Sequence, residues 1–255
     1  MRRVKSLVSF YTIIPVKEHS MEDAADLMHL SPLIIGIIVG GIVGLLSLVL
    51  SIVIPAHTLC ILILSMLLII TGFSHVDGLM DLADALMFKG SREERLRVLH
   101  DKYSGSAAVI TVFIVEATSL MCLLSILSIV PLIKFPLVIM IIEVMARTPH
   151  VILAYLGPPP TYKGLGYLFV NKVYRDKTKI KILFITTMPV LLLLALITGL
   201  LWRLLIALIV MLILTWVYKA IIVRAIGFIT GDVLGASIEV FRAIMLLVFT
   251  LKIPC

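Results

Sequence analysis

A chain of 255 residues that is 61% hydrophobic, with a mean hydropathy of +1.18, is not a soluble globular domain, where apolar residues make up about half. Its net charge of +7, from 22 basic and 15 acidic residues, would suit nucleic acid in a soluble protein. Here apolar runs of about 18 or more residues recur, and these mark membrane spans instead. The three cysteines, Cys60, Cys122 and Cys255, have no metal-ligand spacing, which argues against a disulfide framework or a zinc site.

In chain order, Met1–Val16 joins basic residues to a short apolar run without a cleavage signature, and reads as a retained interfacial helix or a tucked-in segment. Lys17–His29 is acidic and reads as a short amphipathic helix. Spans are expected at Leu33–Pro55, Ala56–Phe73, Ser106–Val130 and Phe135–Leu156, then at Ile182–Leu201, Leu204–Val223 and Val233–Leu251. Unbroken apolar runs exclude the alternation of a barrel. The expected fold is therefore all-α: one membrane-embedded domain over residues 1–255, a polytopic bundle of about seven transmembrane helices. Polar segments near 74–105, 157–181 and 224–232 fall on one side. With the N-terminus in the cytoplasm, that side carries seventeen Lys and Arg against three on the other, Lys134, Arg203 and Lys252. Such an imbalance is the positive-inside pattern, and it puts Cys255 outside. No acidic residue falls in an opposite-side loop, so a chemical site is expected at the cytoplasmic face of the cell's inner membrane. The expected partner is the lipid bilayer, not nucleic acid.

His75, Asp77, Gly78, Asp81 and Asp84 follow directly on the second apolar run. At about 100° per helical residue, Asp81 lies about 40° and Asp84 about 20° around from Asp77, so the three carboxylates share a face. Like charges at this spacing repel by a few tenths of a kcal/mol. A divalent cation turns that repulsion into coordination, because Mg²⁺ takes carboxylate and phosphate oxygens; the alternative is a solvated acidic helix end. Gly78 allows close approach of a phosphate or a backbone, or begins a helix. His75 is a ligand or phosphate donor, or else a cap.

Further along, Asp101 precedes span three and is four residues from Gly105, placed to return toward the acidic stripe. Glu143 and Arg147 form an i,i+4 pair inside span four, either a structural ion pair or a phosphate clamp through Arg147. Glu116 has no assigned role. Thr230, Gly231 and Asp232 open the last span, with Asp232 an N-cap or a ligand. Asp232, Gly235 and Glu239 fall near one face of that span.

Five motifs occur in order: FYTIIPV at Phe10–Val16, H-x-D-G-x-x-D-x-x-D at His75–Asp84, D-x-x-x-G at Asp101–Gly105, Gly164-Leu165, and T-G-D-x-L-G-A at Thr230–Ala236. Together, over nearly the whole chain, they resemble the adenosylcobinamide-GDP ribazoletransferases, also called the cobalamin-5′-phosphate synthase family. The family pattern would place glycines where Ala108 and Phe228 stand. The resemblance implies the last assembly step of the cobamide nucleotide loop, in which α-ribazole or its 5′-phosphate attacks the corrinoid-linked phosphate of adenosylcobinamide-GDP and expels GMP. It implies a need for one or two Mg²⁺ ions, with Mn²⁺ an alternative. Such a reaction requires cations on the bridging and leaving oxygens and an alcohol held in line. Asp77, Asp81, Asp84 and Asp101 are then the expected catalytic and metal-holding set. His75, Gly78, Arg147, Thr230, Asp232 and Glu239 are the expected substrate contacts. Homo-oligomerisation is left open.

Three other readings compete. A CDP-alcohol phosphotransferase also carries an acidic helix opened by Asp-Gly, but its pattern would put Ala-Arg where Asp81-Leu82 stand. An aromatic prenyltransferase would need a second complete acidic set on another helix. A transporter, a different class, would use Glu143, Arg147 and Glu239 for coupling, yet neither repeated halves nor discontinuous helices are evident.

Overall fold

The structure is a computed structural model that describes residues 2–17 and 20–251. Met1, Glu18 and His19 of the expected N-terminal segments, and Lys252 and Cys255 expected at the outer side, lie outside the described residues. All regular structure among the described residues is helical. The first half of the chain forms α1 (Arg2–Tyr11), α2 (Met21–Asp26), α3 (Ser31–Leu50), α4 (Ala56–Ile70), α5 (Ser74–Met87) and α6 (Arg92–Leu99). The second half forms α7 (Ser106–Ile129), α8 (Phe135–Leu156), α9 (Leu165–Val173), α10 (Lys177–Thr198), α11 (Leu201–Ala225) and α12 (Gly231–Thr250).

Six of these, α3, α7, α8, α10, α11 and α12, are long and apolar enough to cross a membrane. The expected second span differs from its sequence reading. Its helix stops at Ile70, and its 15 residues rise only about 22 Å, short of a ~30 Å hydrocarbon core. Gly72 N–H donates to Ile69 O at 2.8 Å and Phe73 N–H to Leu68 O at 3.1 Å, the paired bonds of a Schellman stop. Gly72 (φ 62°) supplies the left-handed residue, and Phe73 (φ 58°) is forced into the same region, a conformation that costs a side-chain-bearing residue about 1–2 kcal/mol. The chain then turns by 88° into α5, so α4 and α5 together make a broken seventh span.

The remaining expected spans shift by a few residues. The first helix ends at Leu50 rather than Pro55, because residues 51–54 turn before the proline. The fifth begins at Lys177, where the Asp176 carboxylate accepts the N–H groups of Thr178 (2.9 Å) and Lys179 (3.2 Å). That cap starts the helix inside the basic segment, where hydropathy alone gives no start. In the N-terminal segment, α1 buries Leu7 and Tyr11 against the bundle. Asp23 of α2 receives Arg2 and Arg3 at 3.3 and 3.6 Å, and Asp26 receives Lys172 of α9 at 2.9 Å.

Two helices form the centre. Within their apolar windows, 89% of α8 and 78% of α12 is buried, against 22% of α7 and α11, so the others ring this pair and turn apolar faces outward. The closest pairing is α3 on α8. A Cβ added at Gly36, Gly40 or Gly44 would fall 2.8, 2.7 or 2.5 Å from the backbone of α8. This is the small-residue spacing through which membrane helices reach van der Waals contact without a hydrophobic driving force. Gly40→Ala should lower the thermal unfolding midpoint in detergent, since overpacking costs about 1–3 kcal/mol. Gly41→Ala, whose methyl meets only the flexible end of Met140 at 3.0 Å, should change it little, and equal midpoints would contradict this packing.

Candidate active site

The carboxylate row lies on α5, as its spacing predicts. Asp77 is exposed, while Asp81 and Asp84 are half-buried. The carboxylates of Asp77 and Asp81 make no hydrogen bond or ion pair with any described residue, and the charges of Asp77, Asp232 and Asp84 all act on Asp81. Asp84 is differently engaged: its carboxylate accepts Gly105 N–H at 2.5 Å and Ala108 N–H at 2.9 Å, capping α7. Gly105 leaves room for that cap, because a Cβ there would stand 2.8 Å from Asp84 Oδ1. Asp101 is exposed, and its carboxylate accepts the Tyr103 N–H at 3.4 Å in a local turn.

Free hard oxygens in a field of like charge are the donor chemistry a divalent cation takes, and Asp77 with Asp81 supply them. No three His, Cys, Asp or Glu side chains among the described residues are grouped as a ready metal site.

The N-terminal turns of α12 pack against α5. Thr230, not Asp232, is the N-cap: its hydroxyl accepts Val233 N–H at 3.2 Å, since the cap residue must precede the first helical N–H groups. Asp232 stands inside the first turn. A Cβ at Gly78 would lie 2.8 Å from the Asp232 carbonyl oxygen, so the close approach expected at Gly78 is made by the α12 backbone. At the next crossing Gly235 faces His75, and His75 Nδ1 lies 3.5 Å from Glu239 Oε1. The face bearing Asp232, Gly235 and Glu239 is thus the face that meets α5.

Below this crossing lies a buried ion network. Glu143 pairs with Arg147 one turn along α8 and receives Arg242 Nε across the bundle at 2.7 Å. Arg242 also pairs with Glu239. All four side chains are essentially inaccessible, and two carboxylates balance two guanidiniums. Arg147 Nε and Nη2 have no hydrogen-bond partner among the described residues, and Arg147 does not line the cavity described next.

A cavity of about 410 Å³ opens at the start of α12. Among the expected substrate contacts, His75, Thr230 and Asp232 line it, whereas Gly78, Arg147 and Glu239 do not. Residues not singled out from the sequence complete its wall. His150 donates from Nδ1 to the Arg147 carbonyl, which leaves Nε2 to accept from the Tyr11 hydroxyl at 3.2 Å. Ser31 Oγ lies 3.0 Å from that nitrogen and hydrogen-bonds the Met28 carbonyl at 2.6 Å. Near the mouth, His100 donates from Nδ1 to Leu96 O at 2.9 Å and accepts from Tyr162 at 3.1 Å. Burial first, and then the Asp232 carboxylate, push the Tyr162 phenol above its usual range, so it serves as a neutral donor. A signal for His150 existed in the sequence, as an imidazole inside an apolar span two residues from another polar side chain.

This fold and site define a polytopic helical membrane protein with an acid-lined helix crossing at one end and a ring-walled cavity beside it. The sequence model of the family described as cobalamin-5-phosphate synthase matches residues 3–250, and the chain belongs to that family. A relative from Saccharolobus islandicus (strain L.S.2.15), named adenosylcobinamide-GDP ribazoletransferase, is 31% identical over 252 residues, covering 97% of this chain and 90% of its own. Relatives of the same name from Clostridium tetani and Sulfolobus acidocaldarius are 31% identical over 247 residues and 34% over 192. They cover 95% and 75% of this chain, and 94% and 73% of their own. No solved structure matches the chain.

The network and the cap differ in expected weight. Glu143→Ala leaves two buried guanidiniums short of a partner and should destabilise by about 3–5 kcal/mol. Asp84→Ala loses one helix cap, about 0.5–2 kcal/mol. Thermal unfolding of both variants in one detergent should rank them in that order; a reversed order would contradict the central role of the ion network.

Proposed function

We propose that this chain transfers the corrinoid-linked phosphoryl group of adenosylcobinamide-GDP to the hydroxyl of α-ribazole, or of its 5′-phosphate, with GMP as the leaving group. Family membership over 248 of its residues, positions 3–250, carries this reading. The geometry supports it, because unpartnered carboxylates stand at the crossing of α5 and α12, beside a cavity able to take a small organic molecule.

In this reading Asp77 and Asp81 hold Mg²⁺, or Mn²⁺ in its place, through oxygens that nothing else engages. The ion supplies charge neutralisation to the diphosphate and its departing phosphate. Asp84 adds its charge to the row while fixing the start of α7, and Asp101 is the remaining candidate for a further ligand or for the base that takes the hydroxyl proton. Asp232 faces both the cavity and the row, and so is placed to orient an alcohol toward it. Gly78 and Gly235 serve by letting α5 and α12 touch, and Glu239 and Arg147 by holding that crossing from below. We read the whole as one membrane-embedded domain. Its site faces the cytoplasm across the inner membrane, the orientation that the distribution of Lys and Arg favours.

The test is GMP release by the purified protein in detergent from adenosylcobinamide-GDP and α-ribazole with Mg²⁺. EDTA should abolish it. Asp77→Asn and Asp81→Asn should each reduce it by roughly 10²-fold or more, the scale of losing one electrostatic stabiliser of developing charge, while the protein still inserts in membranes. Near-normal turnover in both variants would remove the metal-holding role.

A further inference from the structure

The cavity has a lining unlike the carboxylate row beside it. Rings from four helices meet there: Phe10 and Tyr11 of α1, His75 of α5, His150 of α8 and Phe169 of α9. Phe10 stacks on Phe169 with centroids 4.2 Å apart and planes 23° apart. Tyr11 stands edge-on to both, at 5.0 and 6.4 Å. Gly231 and Gly235 of α12 add bare backbone to the lining, so flat surfaces prevail where side chains would otherwise protrude.

Charge narrows the occupant. Among the described residues no Lys or Arg lines the cavity and Asp232 is its one carboxylate, so a diphosphate would find repulsion there and no counter-ion. At about 410 Å³ it falls in the ~300–1,000 Å³ range of pockets that enclose one small organic molecule, and it is too small for a corrin macrocycle with its side chains. Flat, neutral and aromatic describes what fits. The polar groups are placed to match: Asp232 lines the cavity, and its backbone packs on Gly78, the neighbour of Asp77 in the row, so it stands where cavity and carboxylates join.

We infer that this cavity seats the aromatic base of the acceptor nucleoside. The base lies against the Phe10–Phe169–Tyr11 cluster, and the ribose hydroxyls donate to Asp232. The attacking hydroxyl is thereby directed toward Asp77 and Asp81. The inference rests on the transferase reading and adds which end of the site takes which substrate: the rings take the nucleoside, and the corrinoid diphosphate enters from the carboxylate side. Recognition by stacking depends on a π face more than on a hydrogen-bond pattern, so the wall selects for flatness.

Phe169→Leu keeps apolar bulk and removes the flat face. In the full-length protein in detergent, the dissociation constant of α-ribazole measured by titration calorimetry without metal, and its KM in GMP release, should both rise about tenfold. The KM for adenosylcobinamide-GDP should stay within about twofold. Gly164→Leu is the second variant, because a Cβ there meets no atom within 4 Å and its φ of 177° is ordinary extended backbone. It adds a side chain at the cavity edge without strain and should weaken α-ribazole in the same selective way. Wild-type protein that releases GMP while both variants bind α-ribazole normally, or lose the corrinoid substrate instead, would overturn the inference and leave the transferase reading standing. Wild-type protein that releases no GMP would overturn that reading itself.

Discussion

Arg242 ties together the two helices on which everything else in this bundle is hung. Its guanidinium reaches Glu143 on α8 and Glu239 on its own helix, and Arg147 closes the charge balance. A charged side chain at the centre of a bilayer costs about 2.5–3.5 kcal/mol on insertion scales. Four of them persist here because each has an opposite partner and none faces lipid. Removing any one would strand its neighbours, so the arrangement is stiff in a way an apolar interface is not. That stiffness fixes the register of α12 on α8, and with it the positions of Thr230 and Asp232 relative to His150.

A second constraint follows from the first. Once α12 is fixed, α5 can join it only if both helices are bare at the crossing, and Gly78 and Gly235 meet that need. The stop at Gly72 and Phe73 lets the chain leave α4 at a right angle and present α5 to α12. His75 then lies over Glu239, at the boundary between the ion network and the cavity. The carboxylate row is carried past the crossing to the start of α7, where Asp84 turns a repulsive charge into a helix cap. Local electrostatic cost is thus offset by structural use at one end of the row, while the Asp77 and Asp81 carboxylates stay unengaged by any described residue.

The two halves of the site differ in kind. One is acidic and open, suited to hard cations and the phosphates they neutralise; the other is ring-lined with the single carboxylate of Asp232, suited to a flat organic group. Asp232 belongs to both, lining the cavity and packing its backbone on Gly78 of the helix that bears the row. A transferase that must bring a nucleoside hydroxyl to a diphosphate gains from such a division. In the arrangement we propose, each substrate is held by the interaction it makes best, and the reacting atoms meet where the two halves join.

Much of this was legible along the chain. Long apolar runs dictate helices in lipid, because no other backbone arrangement satisfies its own hydrogen bonds there. A 3.6-residue period places Asp77, Asp81 and Asp84 on one face before any folding is known. The ordered motifs pointed to the family, and Asp232, Gly235 and Glu239 already shared a face. Tertiary structure alone decided what those faces meet. That Gly78 admits the backbone of α12, that His75 lies over Glu239, and that Arg242 reaches Glu143 all depend on contacts between residues far apart in sequence. Phe10, Tyr11, His150 and Phe169 converge from three helices, and no periodicity within a single segment encodes that meeting, because it is set by how those helices pack against one another.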